Sequence, residues 1–193
     1  MLNRKLKYNN VVYKIFIVFL LSSQTLLSQA IQWSTDRKLD FKDFAHPTHE
    51  EDNSTGAESY IGIDYKIVSN SIWTGKIKIK IYAIFYPEKS WINKKYTANS
   101  HILKHEQKHF DIAHVFADKL QNVINSQVKG TKDFNNNFQK LYDENFAEYS
   151  AFQSRYDLDT EHGANLEQQN KYNDIIESMV NDTFNEKDNK NRK

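Results

Sequence analysis

The chain has 193 residues, 39% of them hydrophobic and 26% charged, which suits one folded domain and excludes disorder throughout. Its formal net charge is +1, but Arg4, Lys5, Lys7 and Lys14 stand in an acid-free first thirty residues, so positions 31–193 carry 22 basic against 25 acidic groups. That balance gives no electrostatic footprint for nucleic acid, and the lack of cysteine excludes disulfides, a thiol nucleophile and a Cys-ligated metal.

In chain order, a basic stretch to Lys14 precedes the apolar run Ile15–Leu21, and Ser28-Gln29-Ala30 follows with small residues at −3 and −1. This is the order of a secretory signal, with cleavage expected after Ala30 and a secreted or periplasmic product. The run is too short for the ~20 residues of a spanning helix, so no stable membrane anchor is expected after cleavage. The mature domain is expected over 31–180.

Positions 31 to 91 read as strands. Ile61–Ile67 alternates, Ser69-Asn70-Ser71 turns, and Lys76–Tyr82 sets lysines against isoleucines at strict period two before a stop at Pro87. Such a half-solvated pattern suits a strand at or near a sheet edge. The acidic, turn-rich stretch 46–56 reads as a loop.

Beyond Trp91 the period becomes helical. Asn99 or Ser100 can cap a helix with Ile102, His109, Ala113, Phe116, Leu120 and Ile124 on its apolar face, closed by Gly130. A second helix is expected over roughly 134–156 and a third from about Ala164, with 181–193 a frayed polar tail. Strands followed by helices make the fold class α+β.

His105-Glu106-Gln107-Lys108-His109 is an H-E-x-x-H motif within the first helix. Residues four apart lie one turn above each other, so both imidazoles can reach one ion at ~2.0–2.1 Å. Glu106, rotated by about 100°, can meet a water on that ion and act as general base without being a ligand. His109 sits on the apolar stripe, where an unpartnered imidazole is costly.

A catalytic zinc takes a third protein ligand. The downstream candidates are Asp133, Asp143, Glu144, Glu148, Asp157, Asp159, Glu161, His162 and Glu167. His162, in a turn-like break between helices, is preferred, with the helix-borne Glu148 second. His101 and His114 fall off the spacing and are assigned to the surface. Asp111 is read as an outer acceptor or a solvated group, and Tyr156 with Arg155 as groups to steady an oxyanion.

Several segments resemble a bacterial family known as domain of unknown function 922. They are Trp33 with Arg37–Leu39 and Phe41–Phe44, Ser90-Trp91, Leu103–Ile112, and Tyr156-Asp157-Leu-Asp-Thr160-Glu-His162-Gly163. The resemblance spans roughly 32–180 and implies a secreted zinc peptidase of the zincin type. It implies a small twisted sheet backed by a long active-site helix and two further helices. It also implies one Zn2+ held by His105 and His109, Glu106 as base, a functional role for His162, and a protein or peptide substrate. Lys76–Tyr82 is the strand expected to form the cleft's edge. The readings set against this are a catalytically silent binding module and a zinc hydrolase acting on a cell-envelope amide.

Overall fold

The computed structural model describes residues 29–47, 56–96 and 99–191, with side chains through 185. The signal-like segment therefore lies outside the described residues, apart from its last two positions. No helix among the described residues is long and apolar enough to cross a membrane.

The architecture is α+β: a small antiparallel sheet followed by three helices. Strands β1 (Ile31–Gln32), β2 (Ala57–Glu58), β3 (Ile61–Asn70), β4 (Ile77–Phe85) and β5 (Trp91–Ile92) precede α1 (Ser100–Gln127), α2 (Thr131–Thr160) and α3 (Leu166–Asn191). One sheet has the order β1-β4-β3, and β2 pairs separately with β5.

The period-two pattern produces the expected β3–β4 hairpin, in register from Ile61 opposite Phe85 to Asn70 opposite Ile77, with a bulge between Ile67 and Ser69. Alternate residues Ile63, Ile79, Ile81, Ala83 and Phe85 point into the core, where Phe110, Ile112, Ala113, Phe116, Leu120 and Ile124 of α1 meet them. Burying a side chain such as Phe110 contributes about 2–3 kcal/mol.

The cleft edge needs correction. Strand β4 is central, with β3 on one side and β1 at Ile84–Phe85 on the other. Where β1 stops, α1 takes over: Ile81 N donates to Gln121 Oε1 at 2.8 Å, and Gln121 Nε2 donates to Ile79 O at 3.1 Å. A side-chain amide thus stands in for a neighbouring strand, and the lysine pattern reflects one solvated face rather than a free edge.

Helix α1 starts as expected, with the Asn99 side chain accepting from His101 N. Its end differs. The helix stops at Gln127, and Gly130 instead forms the N-cap of α2 and a bridge to Lys76. A Cβ on Gly130 would lie 2.8 Å from Gly75 O, so close backbone approach, not helix termination, calls for glycine there. The tail also differs, because α3 runs to Asn191. Tyr172, Ile176, Val180 and Phe184 repeat at four-residue steps and pack against the core, so the helix gains burial into the segment expected to fray.

Candidate metal centre

The N-terminal part of α1, the C-terminal part of α2 and the Gly56–Ile61 segment enclose a cleft of about 770 Å³. His105, Glu106, His109, Gln153, Asp157 and His162 all line it. The motif spacing has the effect expected of it: His105 Nε2 and His109 Nε2 lie 3.1 Å apart.

The third group at these nitrogens is Asp157, whose Oδ1 lies 2.8 Å from His109 Nε2 and 3.2 Å from His105 Nε2. His162 stands at the rim, its side chain 82% exposed and its Nδ1 3.8 Å from the same Asp157 oxygen. Glu148 is elsewhere, exposed and ion-paired with Lys119. Among the described residues, His105, His109 and Asp157 are the metal-type group brought within reach of one ion.

The remaining ring nitrogens settle which atoms point inward. His109 Nδ1 donates to Gln153 Oε1 at 2.6 Å, and Gln153 Nε2 donates in turn to His109 O and Tyr149 Oη. His105 Nδ1 donates to Gln169 Oε1 at 3.0 Å, with Gln169 Nε2 donating to Tyr156 Oη and Asn173 Oδ1. With Nδ1 protonated in both rings, each Nε2 presents a lone pair. Two imine nitrogens and a carboxylate oxygen, all acceptors, therefore converge within hydrogen-bond distance. These three atoms are of the donor type, and close enough together, that they could hold one metal ion.

Burial opposes the charged form of His109, but hydrogen bonding to Asp157 and the nearby Glu106 carboxylate outweigh it and raise the pKa. Burial likewise opposes ionisation of Asp157, yet hydrogen bonds from His105 and His109 hold its carboxyl well below the usual range.

Glu106 is buried, and Ser59 Oγ donates to its Oε2 at 2.5 Å. Ser59 is placed by Ser90, a fully buried residue whose hydroxyl donates to Tyr86 O and accepts from Tyr60 N. The β2–β5 pairing completes the wall, with Trp91 Nε1 donating to Glu58 Oε2. Ser59, Gln153 and Gln169 were not legible as site residues. The available signal was the helical stripe Tyr149, Gln153, Asp157 at four-residue steps, polar groups on an otherwise apolar face.

Other expectations shift. Tyr156 is fully buried, stacks on His105 with centroids 4.7 Å apart, and braces the imidazole rather than facing the cleft. Arg155 is exposed and paired with Asp159. Asp111 is buried and accepts from Trp33 Nε1 and Gln107 Nε2, tying the N-terminal segment to α1. His114 stacks on Trp33 at 3.6 Å rather than lying on the surface, while His101 is exposed at the cleft wall.

The turn after α2 is left-handed at Glu161, His162 and Gly163, which swings Gly163 against His105. A Cβ on Gly163, where φ is +84°, would lie 3.1–3.2 Å from the His105 ring and its Cβ. Gly163→Ala is expected to cost about 1–2 kcal/mol in stability from the backbone conformation alone. Thermal melting curves of the native chain and the variant measure the loss.

Neither the comparison with curated proteins nor that with solved structures gives a match. Residues 88–163 match the model of the family described as "Bacterial protein of unknown function (DUF922)". The match omits the Trp33–Phe44 opening and includes Ser90-Trp91, the motif helix through His109, and the turn from Asp157 to Gly163. Through this segment, which holds His105, Glu106, His109 and Asp157 together, the chain is similar to the DUF922 family of bacterial proteins.

Proposed function

We propose that the protein is a zinc-dependent hydrolase acting on peptide bonds, with His105, His109 and Asp157 holding the ion and Glu106 serving as general base. The observation that carries this reading is the convergence of three acceptor atoms beside a buried carboxylate in an open cleft. A zinc ion bound there supplies Lewis acidity, polarising a carbonyl oxygen and making a nearby water a stronger acid.

The chain's own residues account for the rest. Gln153 and Gln169 fix both imidazoles in the tautomer that directs Nε2 to the ion. Ser59 occupies Glu106 Oε2, leaving Oε1 to take the proton from an attacking water and return it to the leaving amine. The extended Gly56–Ser59 segment along one wall favours an elongated substrate, since such backbone can pair with a peptide in β-fashion. His162, at the rim, is placed to meet substrate. The basic and apolar segments before Ala30 favour export, which puts the substrate outside the cytoplasm.

The test is metal content by mass spectrometry together with hydrolysis of a quenched-fluorescent peptide library. About one zinc per chain is expected, with cleavage lost on chelation and restored by zinc. A chain that takes up no zinc on reconstitution, or takes it up and cleaves nothing, refutes the assignment as a peptidase.

A further inference from the structure

The end of the molecule remote from the cleft carries the most exposed apolar side chains among the described residues. Ile72 is 87% and Trp73 92% exposed, at the tip of the β3–β4 hairpin. Val68, at the bulge below them, is half exposed.

The tip is held rather than loose. Ser71 N donates to Lys76 O, Gly75 N to Ser71 O, and Thr74 N to Ser71 Oγ. Beneath it, Thr131 N donates to Gly75 O and Thr131 Oγ1 to Asn70 Oδ1, fastening the turn to the start of α2. Keeping a tryptophan and an isoleucine in water on a braced turn forfeits burial that the core could have supplied, which marks the pair for contact with another surface.

The charge around the tip is mostly positive, Asp133, which accepts from Lys129 N and Gly130 N, being the nearby carboxylate. Positions 65–80 and 128–132 contain Lys66, Lys76, Lys78, Lys80, Lys129 and Lys132 and no carboxylate, and all six lysines are exposed. The rest of 31–193 holds 16 basic against 25 acidic groups. Lys76 is bridged to Gly130 beside Lys129, and Lys78 stands opposite Ser69, so the positive charge lies at the tip itself.

We propose that this hairpin tip docks onto a lipid bilayer bearing anionic headgroups, with Ile72 and Trp73 entering the interfacial layer and the surrounding lysines facing the phosphates. Tryptophan favours that layer because its ring is apolar while its N–H keeps a polar partner, and lysines add attraction to an anionic surface. The shape favours a bilayer over a protein. A two-residue convex tip buries far less than the ~1,600 Å² of a stable protein interface, whereas shallow insertion asks for no matching surface.

Docking in this way fixes the cleft's position. Strand β3 runs from Ile61 at the cleft to Asn70 at the tip, about 30 Å along the strand. A hydrolytic site there would work at that height above the membrane, on material projecting from it.

The experiment uses the full chain with vesicles of phosphatidylcholine containing about one third phosphatidylglycerol, with brominated acyl chains as fluorescence quenchers. The Trp73 signal is the difference between the native chain and Trp73→Phe, which isolates the tip from any attachment through residues 1–30. Trp73 emission is expected to shift to the blue and lose at least about half its intensity. About 0.5 M salt, with a screening length near 4 Å, should weaken the effect several-fold, as should the Lys76→Glu/Lys78→Glu double variant.

Absent quenching overturns the proposal, as does equal quenching on pure phosphatidylcholine. An emission shift that grows with protein concentration without lipid assigns the tip to a second copy and also overturns it. Neither readout involves zinc or hydrolysis, so this proposal and the catalytic one fail separately.

Discussion

Glu106→Gln is expected to lower peptide hydrolysis by about 10²- to 10⁴-fold while the chain keeps its zinc. The separation follows from geometry. Glu106 follows His105 directly and lines the same cleft without belonging to the group formed by His105, His109 and Asp157. Glutamine keeps the side chain's volume, and its amide oxygen still accepts from Ser59, so the wall between Gly56 and Ile61 has no reason to move. What disappears is an anionic oxygen able to take a proton. Metal content and kcat/KM measured on the same preparations check the point. Residual hydrolysis within about threefold of the native chain would show that another group takes the proton and refute this role for Glu106.

The parts of the fold that local pattern controls were legible in the sequence. The β3–β4 hairpin followed from strict alternation, and the start of α1 followed from Asn99 placed before a 3.6-residue stripe. Legibility failed where long-range contacts decide. Lys76–Tyr82 reads as an edge because its lysines are solvated, but Gln121, forty residues on, takes up Ile81 N and Ile79 O where a further strand would pair. Gly130 reads as a helix stop because glycine often serves that role, whereas its actual requirement comes from Gly75.

The site divides in the same way. His105 and His109 were readable because one helix sets their spacing, and the pairing of their Nε2 atoms follows from it. The partners Ser59, Gln153 and Gln169 arrive from three other segments, and nothing in the motif specifies them. Asp157 stood among nine possible ligands. Its position four residues after Gln153, on the face of α2 turned toward α1, distinguishes it only once that face is known.

Asp157→Ala is therefore expected to weaken zinc binding by at least about 100-fold, or roughly 2.7 kcal/mol. Two neutral imidazoles would remain, one donor short of a catalytic zinc set, and the negative charge that offsets the ion would be lost. Asp157→Asn keeps the size and one oxygen but not the charge, so its affinity should fall between the two; it also guards against a loss caused by misfolding. His162→Ala should change zinc affinity by less than about tenfold, because that side chain is mostly in solvent and meets Asp157 only at 3.8 Å. Glu148→Ala should leave affinity unchanged, since its partner is Lys119 on the outer surface. Competition with a chromophoric chelator, run on folded protein verified by circular dichroism, ranks all four. If His162→Ala loses zinc while Asp157→Ala keeps it, the turn from Glu161 to Gly163 must close over the ion on binding. The left-handed backbone there would then be the hinge that carries His162 inward, and Asp157 would be the carboxylate that orients it.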